Sequence, residues 1–137
     1  MEKMLLVGND SPLLLSRAAV LTSTRAAVVA CNPAEIAGRL GHDKFDLIIL
    51  CHSLEDDIRK SVCADVERRW PQARILEVLA DHDQRSSVDC HVDASTVAGE
   101  PCKLIELAME LLGKRHERLR ECPEGLRVAF LPATVSS

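Results

Sequence analysis

Residues 46–54 read "DLIILCHSL". Four consecutive aliphatic residues, Leu47 to Leu50, make a strand with no polar face, and a continuously apolar strand is one covered on both sides, as in a parallel sheet. The chain then turns polar at once through Cys51, His52 and Ser53. Open α/β sheets carry their working groups in loops at the carboxyl ends of the strands. Cys51 stands there, and it has to be a reactive thiol, a metal ligand or an inert core residue.

The segments on either side follow the same rhythm. "KMLLVG" (Lys3–Gly8) is a short apolar run that ends in "NDSP", where Ser11 is placed to cap a helix and Pro12 to occupy its first position. Leu14, Ala18 and Leu21 then share one helical face. "AAVVAC" (Ala26–Cys31) is a second strand, and "NPAEIAGRLG" a short helix with Asn32 as cap and Gly41 as stop. After "FDLIIL" comes a helix carrying Ile58, Val62 and Val66 on one stripe. Ser53 and Asp56 are spaced as a capping box for it, the acids Glu55–Asp57 suit its N-terminus, and Pro71 closes it.

"RILEVLA" is a fourth strand and "CHVDA" (Cys90–Ala94) a short fifth. The polar segment between them, "DHDQRSSVD", carries the faintest helical signal. The last helix, running to about Arg120, has the clearest stripe, with Leu104, Leu107, Ala108, Leu111 and Leu112. Five alternations of strand and helix joined by short connections predict an α/β domain, a five-stranded parallel sheet with helices on both faces.

The chain has 137 residues, enough for one domain over residues 1–120 with a C-terminal tail over 121–137, packed or frayed. Net charge is −4, and only Trp70, Phe45 and Phe130 are aromatic. That composition offers neither the basic patch nor the stacking platform of a nucleic-acid binder. The opening "MEKMLLVG" is too short and too quickly broken for a signal peptide or membrane span. A cytoplasmic location is therefore expected, with the scattered cysteines (31, 51, 63, 90, 102 and 122) reduced.

"MLLVGNDSPLLLSRAAVL", "FDLIILCHSL", "RILEVLA" and "EPCKLIELAMELL" together resemble the receiver domain of bacterial response regulators, the CheY-like form of the flavodoxin-like doubly wound fold. The likeness spans residues 4 to 112. It implies an acidic pair after the first strand, an aspartate phosphoacceptor after the third, Ser or Thr after the fourth, and a lysine before proline after the fifth. In this chain those positions fall on Gly8 and Asn9 (with Asp10 nearby), on Cys51, on Leu79 and on Glu100.

Phosphoryl transfer to a carboxylate needs that nucleophile, a divalent cation on several oxygen ligands, and a cation to neutralise developing charge. None of the four positions supplies its part. The resemblance is thus to a degenerate pseudo-receiver with no phosphorylation site, metal, cofactor or enzymatic activity.

Other chemistries at Cys51 fare worse than an inert thiol. A cysteine phosphatase needs C-x5-R, but the arginine position is Asp57 and "CHSLEDD" holds three acids and no glycine. A redox thiol needs a depressed pKa, and the acids Asp10 and Glu100 oppose that. The dipeptides Cys51-His52 and Cys90-His91 lack zinc-knuckle spacing, and adjacent residues of an extended chain point apart.

The expected function is a stand-alone signalling protein of the two-component or phosphorelay type, acting through phosphorylation-independent binding of another signalling protein. Thiol redox sensing through Cys51, and phosphorylation at an atypical acid such as Asp10, are the alternatives. By the resemblance, the partner face maps to Asp83–Ser87, His91–Ala94 and Lys103–Lys114. A homodimer through the last helix or tail is also expected, with no nucleic acid and no membrane as partner.

Overall fold

The computed structural model describes residues 2–39, 43–81 and 92–119, with side chains described over 2–36, 43–81 and 92–113. Strands β1 (Lys3–Val7), β2 (Ala27–Cys31), β3 (Leu47–Leu50), β4 (Arg74–Leu79) and β5 (Ala94–Val97) alternate with helices. The helices are α1 (Ser11–Leu21), α2 (Pro33–Arg39), α3 (Asp56–Arg69) and α4 (Pro101–Leu119). Every strand pairing is parallel and the sheet order is β2-β1-β3-β4-β5. The chain moves outward from β1 to one edge, returns past it, and fills the other side. This is the doubly wound, flavodoxin-like arrangement.

Because strand side chains alternate between faces, the unbroken apolar runs feed two cores at once. Met4, Leu6, Leu47, Ile49, Leu76 and Val78 meet α1 and α4, which contribute Leu14, Leu21, Leu104, Ala108, Leu111 and Leu112. On the other face Leu5, Val7, Ile48, Leu50 and Ile75 pack with Ile36 of α2 and with Val62, Cys63 and Val66 of α3. β3 lies at the centre and is buried throughout. At the entry end of β3 and β4, Trp70 sets its ring edge-on to Phe45 and donates its indole N–H to the Asp43 carbonyl at 2.6 Å.

Several local expectations need correction. Asp10, not Ser11, caps α1: its Oδ1 accepts from the Leu13 amide at 3.2 Å. The Ser53–Asp56 capping box does not form, because Ser53 Oγ accepts instead from the Asn9 amide at 3.0 Å, and α3 starts after Glu55. Asn32 does cap α2, in a reciprocal pair with Glu35 at 3.2 and 3.0 Å.

The fifth strand is Ala94–Val97 rather than Cys90–Ala94, pairing with Leu76–Leu79. As an edge strand of small and polar residues, its "ASTV" carries almost no apolar signal. Cys63 is disulfide-bonded, against the expectation that all cysteines are reduced, while Cys31, Cys51 and Cys102 keep their thiols. The segment 82–91, the stop at Gly41 and the tail 121–137 lie outside the described residues, and so do Asp83–Ser87 and His91 of the expected partner face.

Candidate functional site

The loops after β1, β3, β4 and β5 meet at the carboxyl edge of the sheet, because four parallel neighbours all end there. Gly8 and Asn9 follow β1, Cys51 follows β3, and Leu79 ends β4. Glu100 does not follow β5 directly. The strand ends at Val97, the Ala98 amide still bonds to the Leu79 carbonyl at 2.7 Å, and Gly99 turns the chain with a φ of 92°. Glu100 is therefore an exposed residue at the start of α4, and Ala98 is the residue directly after β5.

Gly8 is buried, and what surrounds it decides what the site can hold. A Cβ at this position would lie 3.0 Å from Ser53 Oγ, 3.1 Å from Cys51 Cβ and 3.1 Å from Leu14 Cδ2. Main-chain bonds fix that approach: Gly8 N–H to the Cys31 carbonyl at 3.1 Å, and Cys51 N–H to the Val7 carbonyl at 2.9 Å. Asn9 is tied through its amide to Ser53, and Asp10 spends a carboxylate oxygen on the α1 cap. The Mg²⁺ that the resemblance implies does not fit these residues: position 8 has no carboxylate, and a side chain there would have to displace Ser53, Cys51 or Leu14. Among the described residues no group of three or more His, Cys, Asp or Glu is arranged to hold a metal.

Cys51 is almost fully buried. Burial pushes its thiol pKa up, while the guanidinium of Arg17, by charge and by side-chain hydrogen bonding, and the charge of Arg59 pull it down. The direction matches an unreactive thiol, but its cause is desolvation rather than the acids Asp10 and Glu100. His52 is shifted down from 6.5, by burial first and then by Arg17 and Arg59, with Asp10 opposing. Its Nδ1 lies 3.1 Å from Nη2 of Arg17. A guanidinium has no acceptor and can only donate, so Nδ1 is the acceptor of this bond.

Sequence reasoning passed over both arginines. Arg17 lies on α1 between Leu14 and Leu21 and is buried with them. Arg59 is wholly buried on α3, where Nη1 meets Glu77 Oε2 at 3.1 Å and the Val78 carbonyl at 3.3 Å. Its Nη2 donates to the Leu54 carbonyl at 3.2 Å, bracing the loop that carries Cys51, His52 and Ser53. The signal was available: each arginine interrupts an apolar stripe at helical spacing, and Glu77 interrupts the run of β4.

No family model matches the sequence, and no curated protein matches it. Solved structures do. A response regulator receiver domain protein (CheY-like) from Methanospirillum hungatei superposes with a TM-score of 0.73 at 20% identity, covering 86% of this chain and 98% of that one. A putative pilus assembly protein from Burkholderia thailandensis gives 0.68 at 18% identity, covering 82% and 99%. A histidine kinase in complex with a response regulator protein gives 0.67 at 17% identity, covering 82% and 99%. At these identities the likeness establishes the fold, which this chain shares with solved receiver domains.

Proposed function

We propose that this chain is a receiver-like signalling module that acts by binding another signalling protein, without phosphorylation and without catalysis. The closure around Gly8 carries the reading. A phosphorylatable receiver needs carboxylates and a divalent cation beside its acceptor, and here position 8 carries no carboxylate and any Cβ there would press on Ser53, Cys51 and Leu14. Cys51 is a poor nucleophile for the same reason, being buried with a raised pKa. That burial also counts against a redox role for the thiol. Asp10 as an atypical acceptor is disfavoured by its use as a helix cap.

A protein partner accords with the solved relatives, one of which is a kinase bound to its response regulator. On this reading the partner face combines β5 with the exposed side of α4, where Lys103, Glu106 and Met109 face solvent. We place the protein in the cytoplasm on this reading, where the disulfide at Cys63 stands as an exception to the reduced cysteines that compartment favours.

The test is acetyl phosphate, and separately beryllofluoride, each with Mg²⁺, followed by intact mass and amide NMR. The mass should be unchanged and residues 8–10 and 51–53 unperturbed. A stable phospho-adduct, or beryllofluoride shifts centred on those residues, overturns the proposal. Cys51→Asp alone should not confer phosphorylation, because position 8 would still hold no carboxylate.

A further inference from the structure

The two wholly or largely buried arginines are treated differently by their surroundings. Arg59 has a carboxylate, Glu77, at 3.1 Å. Arg17 is only 8% exposed, yet its described hydrogen bond goes to the uncharged His52 ring, with the buried Cys51 thiol as a further neighbour that its charge acts on. Its Nη1 is buried with no hydrogen-bond partner. Thr96 on β5 is 7% exposed, and its Oγ1 is likewise without a partner. Buried polar groups are ordinarily satisfied, and a buried cation ordinarily has a counter-charge.

Both side chains line the same cavity, about 220 Å³, between α1 and the β5–α4 connection. Ser16 adds a hydroxyl to its wall, Gly99 leaves main chain uncovered, and Pro101 and Leu104 bring in the first turn of α4, whose dipole favours negative charge. Val20, Val78 and Leu104 are among the apolar residues of its wall. Glu100 also lies on the wall and opposes a multiply charged guest. At this size the cavity is below the usual range of about 300–1,000 Å³ for drug-sized ligands, so its guest is small. Water could satisfy the two unmet groups but could not neutralise the guanidinium.

We infer that the cavity between α1 and the β5–α4 connection binds a small oxyanion, a carboxylate or a phosphate, whose oxygens accept from Arg17 Nη1 and Thr96 Oγ1. The lining of this cavity includes neither Gly8 nor Cys51, and the site does not depend on how the signalling role is resolved. It would couple the guest to Cys51 and His52, since one guanidinium serves both sides.

The test is titration of the ¹⁵N-labelled full chain with inorganic phosphate and, separately, with acetate at constant ionic strength. Saturable shifts should centre on the amides of Thr96 to Gly99 and on the Arg17 side-chain N–H, and whichever anion saturates identifies the guest's class. Thr96→Val should weaken binding about tenfold, the effect of one lost bond to a charged group, while Thr96→Ser should retain it. Arg17→Met should abolish it in a chain whose spectrum stays folded; if that variant does not fold, the Thr96 pair decides alone. The inference fails if neither anion saturates, if shifts scatter over surface lysines and arginines, or if Thr96→Val binds as tightly as the unmodified chain.

Discussion

Among the described ion pairs, Arg59–Glu77 is the one whose two members are both wholly buried. Both side chains are wholly buried, joined at 3.1 Å, with Arg59 Nε and Glu77 Oε1 left without partners. A buried pair contributes little net stability over a well-packed apolar one, but removing one member strands the other charge at a cost of about 3–5 kcal/mol. Glu77→Leu should therefore destabilise by about that much. With an unfolding entropy of about 2.1 cal/mol/K per residue, that is a fall in Tm of about 10–17 °C for this chain length.

Arg59→Met strands Glu77 and also withdraws the donors serving the Leu54 and Val78 carbonyls. The double variant strands no charge, so it should be more stable than Arg59→Met. The two losses should then fall short of additivity by at least about 2 kcal/mol. Urea denaturation followed by circular dichroism measures all four corners of the cycle. Losses below about 1 kcal/mol for the single variants, or additivity within about 0.5 kcal/mol, would refute the buried-pair reasoning.

Three further outcomes are expected. Gly8→Asp should destabilise by about 1–3 kcal/mol through overpacking against Ser53, Cys51 and Leu14, with Gly8→Ala costing less; denaturant midpoints show both, and a neutral Gly8→Asp would mean the pocket opens. Cys51 should alkylate at pH 7 far more slowly than exposed Cys102, which peptide mapping after brief iodoacetamide treatment resolves. His52 has a lowered folded-state pKa, so the unfolded chain binds the proton more readily. Its contribution is present above pH 6.5 and lost as pH falls below that value, and His52→Gln should flatten that limb of the stability profile.

The framework was legible because it rests on periodicity. "LIIL" and "MLLV" could only be central strands, and the stripe on α4 places Leu104, Ala108, Leu111 and Leu112 in the core. The doubly wound parallel sheet follows from their alternation. What escaped the sequence lacked an apolar signature or depended on distant partners. "ASTV" forms an edge strand because β4 offers it a register, not because its residues demand one. Ser53 was spaced to cap α3, but an amide 44 positions away in sequence claimed its hydroxyl.

The candidate site was readable in its residue identities and not in its electrostatics. Cys51 was placed correctly at the end of β3, but the charges that act on it come from Arg17 and Arg59, on two helices from opposite faces of the sheet. An arginine on an apolar stripe is a visible anomaly in a sequence. Its partner is not, because that depends on tertiary contacts.

Trp70 gives the molecule a built-in light source with a fixed address. The chain has one tryptophan and no tyrosine, so nearly all its intrinsic emission comes from this indole. The ring sits at the entry end of β3 and β4, bonded to Asp43 and set against Phe45. Cys51 lies at the other end of β3, about 13 Å along the strand at ~3.3 Å per residue. Emission will therefore follow global unfolding faithfully and stay dark to events at the carboxyl edge. A flat fluorescence titration with an anion or a partner says nothing about binding there, whereas a tryptophan-free partner that does quench the signal is perturbing the opposite pole.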